Sequence, residues 1–221
     1  MANTLHEPRV ASALKRMFAQ AEQDETTFRR VDEENGGNAF DPARLTAQQR
    51  ADVADRIYMP VSADAGRLLY SMVRAARPAT VVEFGTSYGI STLHLAAAVR
   101  DNGTGRVVTT EMSATKAQAA RRTFTETGLD DVVTLLEGDA LETLADLEGP
   151  IGLLLLDGWK ELYLPVLKLL EPQLAPGALV AGDDLDLPGM QPYLDYVRDP
   201  GNGYESVTFP VEDGVEISCR V

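Results

Sequence analysis

Apolar residues recur at Val10, Leu14, Met17, Phe18 and Ala21, the spacing of one helical face, and predict a helix from Val10 to about Arg30. The polar stretch "DEENGGNAF" ends it. Asp41 as N-cap, with Pro42 at the first helical position, predicts a second helix to about Ile57. A third is expected over Ala63 to Ala76. From there the pattern alternates. The runs "TVVEFG", "GRVVTTE", "DVVTLLEG", "GLLLLD" and "ALVAGDD" read as strands, and stretches near 89–99, 113–126, 140–147 and 164–170 read as helices. Strands apolar on both faces and joined by helices predict an α/β fold with a doubly wound, mostly parallel sheet. The segment "YESVTFPVEDGVEISCRV" alternates on either side of an Asp-Gly pair and reads as a closing antiparallel hairpin. Residues 1–56 are therefore expected to be a helical appendage, packed on the main domain or on a second subunit. Residues 57–221 are expected to form one α/β domain.

Composition narrows this only at a few points. The 221 residues suit one sizeable domain, and no apolar run approaches the ~20 residues of a membrane span. The start, "MANTLHEPRVASALKRMFAQ", is mixed and charged, unlike a secretory leader. Cys219 is the single cysteine, so no internal disulfide forms, and a cytoplasmic location is the expectation. A formal charge of -14 argues against a nucleic-acid partner but is compatible with a bound cation.

In parallel α/β sheets ligands bind across the carboxyl ends of the strands, so the residues at those ends carry the chemistry. The first strand runs into "VVEFGTSYGIS", which places Glu83, Gly85, Gly89 and Ser91 in the turn to the next helix. A dinucleotide loop would read G-x-G-x-x-G. Here the spacing is G-x-x-x-G with an acid two residues earlier, which favours a nucleoside ligand lacking a diphosphate and a carboxylate that receives an amine. A bare structural turn would carry the same residues. Glu111, ending the second strand, sits where an acid accepts both ribose hydroxyls, or where it simply favours a helix N-terminus. Asp139 at the third strand end either reaches an adenine amino group or caps the next helix.

The fourth and fifth strands end in "LLLLDGWK" and "AGDDLD". Asp157, Asp183 and Asp184 should then meet at adjacent strand ends, where their mutual repulsion calls for a cation. A set of hard oxygen ligands suits Mg2+. Lys160 lies in an irregular stretch expected over 157–163, before a helix begun by Pro165, where it serves as a base or pairs with Glu161 or Asp157. Trp159 packs against a ligand or joins the core. His94, within "LHLAAAV", reads as structural.

With these residues assembled, the chain resembles the class I S-adenosylmethionine-dependent methyltransferases, specifically the Mg2+-dependent catechol and caffeoyl-CoA O-methyltransferase group. The likeness covers about residues 57 to 221. "MPVSADAG" is similar to the segment whose backbone, near Val61, holds the methionine carboxylate. "VEFGTSYGIS" followed by "EM" is similar to the cofactor loop and ribose acid. The resemblance implies a seven-stranded Rossmann-like sheet and a cofactor site of Val61, Glu83, Gly85, Ser91, Glu111, Met112, Asp139, Ala140, Asp157 and Trp159. It implies Asp157, Asp183 and Asp184 as metal ligands, Lys160 as general base, and N-terminal helices that cover the acceptor and join a homodimer. Three departures stand out. Asp184 replaces the usual Asn, Gly158 replaces a bulkier residue, and "YESVTFPVEDG" has no counterpart of the family's substrate wall.

The chemistry so implied is in-line transfer of a methyl group from the sulfonium to a hydroxyl of a catechol-like small molecule held by the metal. A nicotinamide-dependent reductase would need the pyrophosphate loop that "GTSYG" lacks. A non-catalytic nucleoside-binding module would not need the acid triad and Lys160. A non-aromatic vicinal diol or hydroxy acid is the alternative acceptor.

Overall fold

Strand β1 (Thr80–Phe84) is buried over its whole length and lies in the interior of a seven-stranded sheet. The computed structural model describes residues 3–221. Its other strands are β2 (Arg106–Glu111), β3 (Val133–Glu137), β4 (Ile151–Leu156), β5 (Leu174–Gly182), β6 (Tyr204–Phe209) and β7 (Val215–Arg220), in the order β3-β2-β1-β4-β5-β7-β6. The first five are parallel, whereas β7 runs antiparallel between β5 and β6. The expected sheet and closing hairpin are both present.

Alternation along each strand feeds two cores. Val81, Val107, Leu153, Leu155 and Ala181 face one layer, and Val82, Phe84, Val108, Leu154, Leu156 and Val180 face the other. The first layer holds α1 (Pro8–Ala21), α4 (Ala63–Ala76), α5 (Ile90–Asn102) and α6 (Ala114–Thr127). Helix α5 is buried around nearly its whole girth, and His94 within it places Nδ1 2.8 Å from the Ile90 carbonyl, as a structural histidine would. The opposite layer holds α7 (Ala140–Thr143), α8 (Tyr163–Leu170) and α9 (Gln191–Arg198).

The N-terminal helices differ from the expected pair. The helix expected over Val10 to Arg30 is two: α1 ends at Ala21 and α2 covers Asp24–Glu34. The break lets the Asp24 carboxylate accept from the Tyr58 and Met59 backbone amides at 2.9 and 2.8 Å. The apolar stripe of α1 packs on α5 and α6 of the same chain. The helix expected from Asp41 is instead α3 (Ala47–Val53), because Thr46 and Gln49 form a reciprocal capping box there. Val31, Ala39, Ala54 and Ile57 clamp α2 and α3 together. Pro165 does not begin α8; it lies two residues inside it, after a 3-10 turn over Lys160–Leu162. Among the described residues no helix is long and apolar enough to cross a membrane.

Candidate active site

Strand order reverses between β1 and β4, and the candidate residues gather at the carboxyl ends there. Leu156 of β4 pairs with Gly182 of β5, so the residues just beyond, Asp157 and Asp183, emerge side by side. Asp184 follows in the left-handed region at φ +60°, a conformation that Asn and Asp tolerate better than most residues. Each of the three offers a carboxylate oxygen within 4.8 Å of the others. No other group of three His, Cys, Asp or Glu side chains converges in this way among the described residues.

These carboxylates repel one another in a poorly solvated place. Burial first, then the charge of Asp183, pushes the Asp157 pKa far above the ordinary carboxylate range. Burial and Asp184 push Asp183 up to about 7. Lys160 supplies the counter-charge, with Nζ 2.9 Å from Asp184 Oδ2 and 3.8 Å from Asp157 Oδ1, and its side chain is 11% exposed. Nζ also donates to the Tyr163 hydroxyl at 2.7 Å, and that hydroxyl donates to the Asp183 carbonyl at 3.2 Å. The donor set is all oxygen, anionic and crowded, which fits a hard divalent cation.

The turn after β1 packs directly on this group. Gly85 adopts φ +101°, and any Cβ there would run into the Asp157 carbonyl. Phe84 fills the space beside Gly158, so a side chain at 158 would enter its ring. That contact explains why this chain has glycine where a bulkier residue was expected.

A narrow crevice runs from Asp157 along this turn, lined by Val61, Ser87, Tyr88 and Ser91 among others. Ser87, at φ +48°, and Met59, at φ +46°, flank it in strained backbone. Glu111 is 9% exposed and accepts the Ser87 amide at 2.7 Å and the Ser113 amide at 2.8 Å. Each of its oxygens keeps capacity for a further donor. Glu83 is wholly buried beneath the turn. Its Oε2 accepts from Thr92 and Thr109, whereas Oε1 has no partner, as an acid awaiting a donor would be left. Burial raises its pKa. Asp139 caps α7 through the Leu141 amide at 2.9 Å, with Ala140 buried behind it, so of its two expected roles the capping one is formed. The Met112 carbonyl accepts from Gln48 at 3.4 Å. Trp159 is half-buried under the Arg50 guanidinium, 4.4 Å from the ring centroid.

Three residues at this site escaped the sequence reading. Tyr163 had a signal, its position three residues after Lys160. Lys116 lies buried beside Glu111 and donates to the Ser87 hydroxyl at 3.2 Å; burial lowers its pKa, and Glu111 opposes that. Arg50 pairs with Glu161 across 111 residues of sequence, a contact that no local pattern announces.

The chain is similar to known methyltransferases. The family described as "Methyltransferase domain" matches residues 82–185, from β1 through Asp184. A catechol O-methyltransferase from Danio rerio is 33% identical over 174 residues, covering 72% of this chain and 65% of that protein. A catechol O-methyltransferase of Mycobacterium tuberculosis is 37% identical over 122 residues, covering 55% of this chain and 54% of its own. The chain thus spans between half and two thirds of these relatives' length. Among solved structures, cofactor-bound Rv0187 from MTB superposes with a TM-score of 0.67 at 27% identity, over 86% of this chain and 96% of that one.

Proposed function

We propose, for a chain that belongs to the class I S-adenosylmethionine-dependent methyltransferases of the catechol and caffeoyl-CoA O-methyltransferase group, that it moves a methyl group from S-adenosylmethionine to one hydroxyl of a catechol-type small molecule with a divalent metal, Mg2+ being the best fit. The observation that carries this reading is the convergence of Asp157, Asp183 and Asp184 on Lys160 at the mouth of the crevice.

In this reading the sulfonium nucleoside lies along the crevice. Val61 and Ser91 face its amino-acid end, Glu83 and Gly85 underlie the turn beside it, and Glu111 accepts the ribose hydroxyls. Met112, Asp139, Ala140 and Trp159 surround the purine. Asp157, Asp183 and Asp184 hold the metal. A divalent cation bound there would supply a Lewis acid that lowers the pKa of the acceptor hydroxyl. Lys160 takes that hydroxyl's proton on Nζ as the oxygen attacks the methyl carbon and the carbon–sulfur bond breaks, leaving a neutral thioether. Lys160 Nζ is paired with Asp157 and Asp184, so it is free to act as a base only when those carboxylates are engaged elsewhere. Tyr163 keeps Nζ aimed at the site.

A cytoplasmic homodimer completes the reading, supported by the single cysteine and by the exposed apolar side chains of Phe28 and Met59 on the N-terminal side. The test is turnover with methyl-labelled S-adenosylmethionine against catechols, flavonoids, hydroxy acids and sugars, with and without EDTA. Methyl transfer to catechols that stops with EDTA and returns with Mg2+ is the expected result. Turnover undiminished by thorough metal removal overturns the metal-dependent mechanism.

A further inference from the structure

Residues 47–61 form a strap whose end, Tyr58 to Val61, lines the crevice, and the strap is tied down at three strand ends. At the β1 turn, the Tyr58 ring stacks on Tyr88 at 4.0 Å, the Tyr88 hydroxyl donates to the Asp55 carbonyl at 2.6 Å, and the Ser87 hydroxyl donates to the Tyr58 carbonyl at 2.6 Å. At β2, Gln48 reaches the Met112 carbonyl. At β4, Arg50 lies over Trp159 and pairs with Glu161. The crevice beneath is narrow, with Tyr58, Met59, Pro60 and Val61 along one side of it.

Arg50 is the unusual member of this strap. Its side chain is 4% exposed, although Glu161, its ionic partner, is 38% exposed. Its Nε is buried with no hydrogen-bond partner. An arginine of helix α3 that served only to hold the helix would pair outward and keep its donors wet, whereas this one is drawn in over an indole face. The guanidinium is planar and weakly hydrated, so it covers an aromatic ring in a way that a lysine cannot reproduce.

We propose that Arg50 is a positioning residue. It fixes the Trp159 indole by stacking and the following residues by its pair with Glu161, and so sets the wall against which the purine lies. This rests on the cofactor reading of Trp159 given above. Arg50 reaches the site through Trp159 and touches neither the acid triad nor Lys160.

Trp159 is the only tryptophan in the chain, so its fluorescence reports the contact without labelling. Arg50→Met, Arg50→Lys and Glu161→Gln would each be compared with the parent by acrylamide quenching, by calorimetric titration with S-adenosylhomocysteine, and by steady-state rates at saturating cofactor. Arg50→Met should at least double the quenching constant without cofactor. It should weaken S-adenosylhomocysteine binding about tenfold, the scale of one desolvated cation–aromatic contact, and leave kcat within about threefold. Arg50→Lys keeps the charge pair without the flat stack and should lie between the two. Glu161→Gln keeps the stack and should quench like the parent. Parent-like quenching in both Arg50 variants, or parent-like affinity in a variant whose indole has become accessible, overturns the proposal. If Arg50→Met does not fold, Arg50→Lys alone carries both tests. Failure of the parent protein to bind S-adenosylhomocysteine would sink the nucleoside reading, whereas the quenching comparison would still decide whether Arg50 shields Trp159.

Discussion

The Tyr163 hydroxyl accepts from Lys160 Nζ at 2.7 Å while it donates to the carbonyl of Asp183, tying the candidate base to the backbone of a candidate metal ligand. Tyr163 is wholly buried at the start of α8, with its ring edge-on to Phe84 and Tyr193, so this hydroxyl cannot drift. Lys160→Met should lower kcat by about 10²- to 10⁴-fold, the range of general-base contributions. Tyr163→Phe should lower it about fivefold, as expected for one hydrogen bond worth ~1 kcal/mol. Initial rates with labelled cofactor measure both, and a Lys160→Met enzyme at full rate removes Lys160 from the mechanism.

Metal-free protein should lose stability as pH rises through the acid range. Asp183 titrates near 7 when folded, against about 4 in an unfolded chain, so between these values the folded state binds a proton that the unfolded state has released. Unfolding free energy therefore falls with increasing pH across that window, and Asp157, shifted in the same direction, adds to the trend. A cation on the triad opposes it by favouring the charged carboxylates. Added Mg2+ should raise the thermal midpoint clearly at pH 8 and scarcely at pH 5; an equal rise at both would mean the ion binds somewhere other than the triad.

Asp184→Asn and Asp184→Ala separate charge from conformation. The left-handed backbone at 184 suits Asn as well as Asp but strains Ala by about 1 kcal/mol. Asn also keeps an oxygen ligand and removes one of the three repelling charges. Activity should survive in Asp184→Asn within a few-fold and fall by at least about tenfold in Asp184→Ala, if losing one ligand costs ~1.4 kcal/mol or more. Equal losses in both would make the negative charge itself the requirement.

Gly158→Ala should cost about 1–3 kcal/mol in urea unfolding, because the added methyl enters the Phe84 ring. Phe84→Leu should restore most of that loss in the double variant, and independent, additive losses would show that the two positions do not share the space.

The sheet was legible because its strands are nearly continuous apolar runs. Leu153 to Leu156 announce β4 so plainly that Asp157 could be placed at a strand mouth from sequence alone, and the convergence of the acids follows from the adjacency of β4 and β5. The N-terminal part was less legible because distant contacts decide it. Asp24 serves the amides of Tyr58 and Met59, and that bond, not any local breaker, accompanies the division of the first helix. Thr46 with Gln49 outcompeted Asp41 with Pro42 because a reciprocal cap satisfies two backbone donors where Asp41 satisfies one local turn. Helix α9 was passed over although Met190, Tyr193, Leu194 and Val197 carry its spacing, since Pro192 reads as a breaker unless it falls in the first turn.

Strand β7, the sixth in the sheet's order, has a consequence for the order of assembly. Chains emerge from the ribosome N-terminus first, and β5, which delivers Asp183 and Asp184, has a single neighbour until residues 215–220 are released. A nascent chain arrested shortly after Asp184 holds every acid of the triad yet leaves the β5 edge open to pairing with whatever strand it meets. Quality control during synthesis thus falls on an interval of some thirty residues, between the appearance of the last acid and the arrival of the strand that seals it.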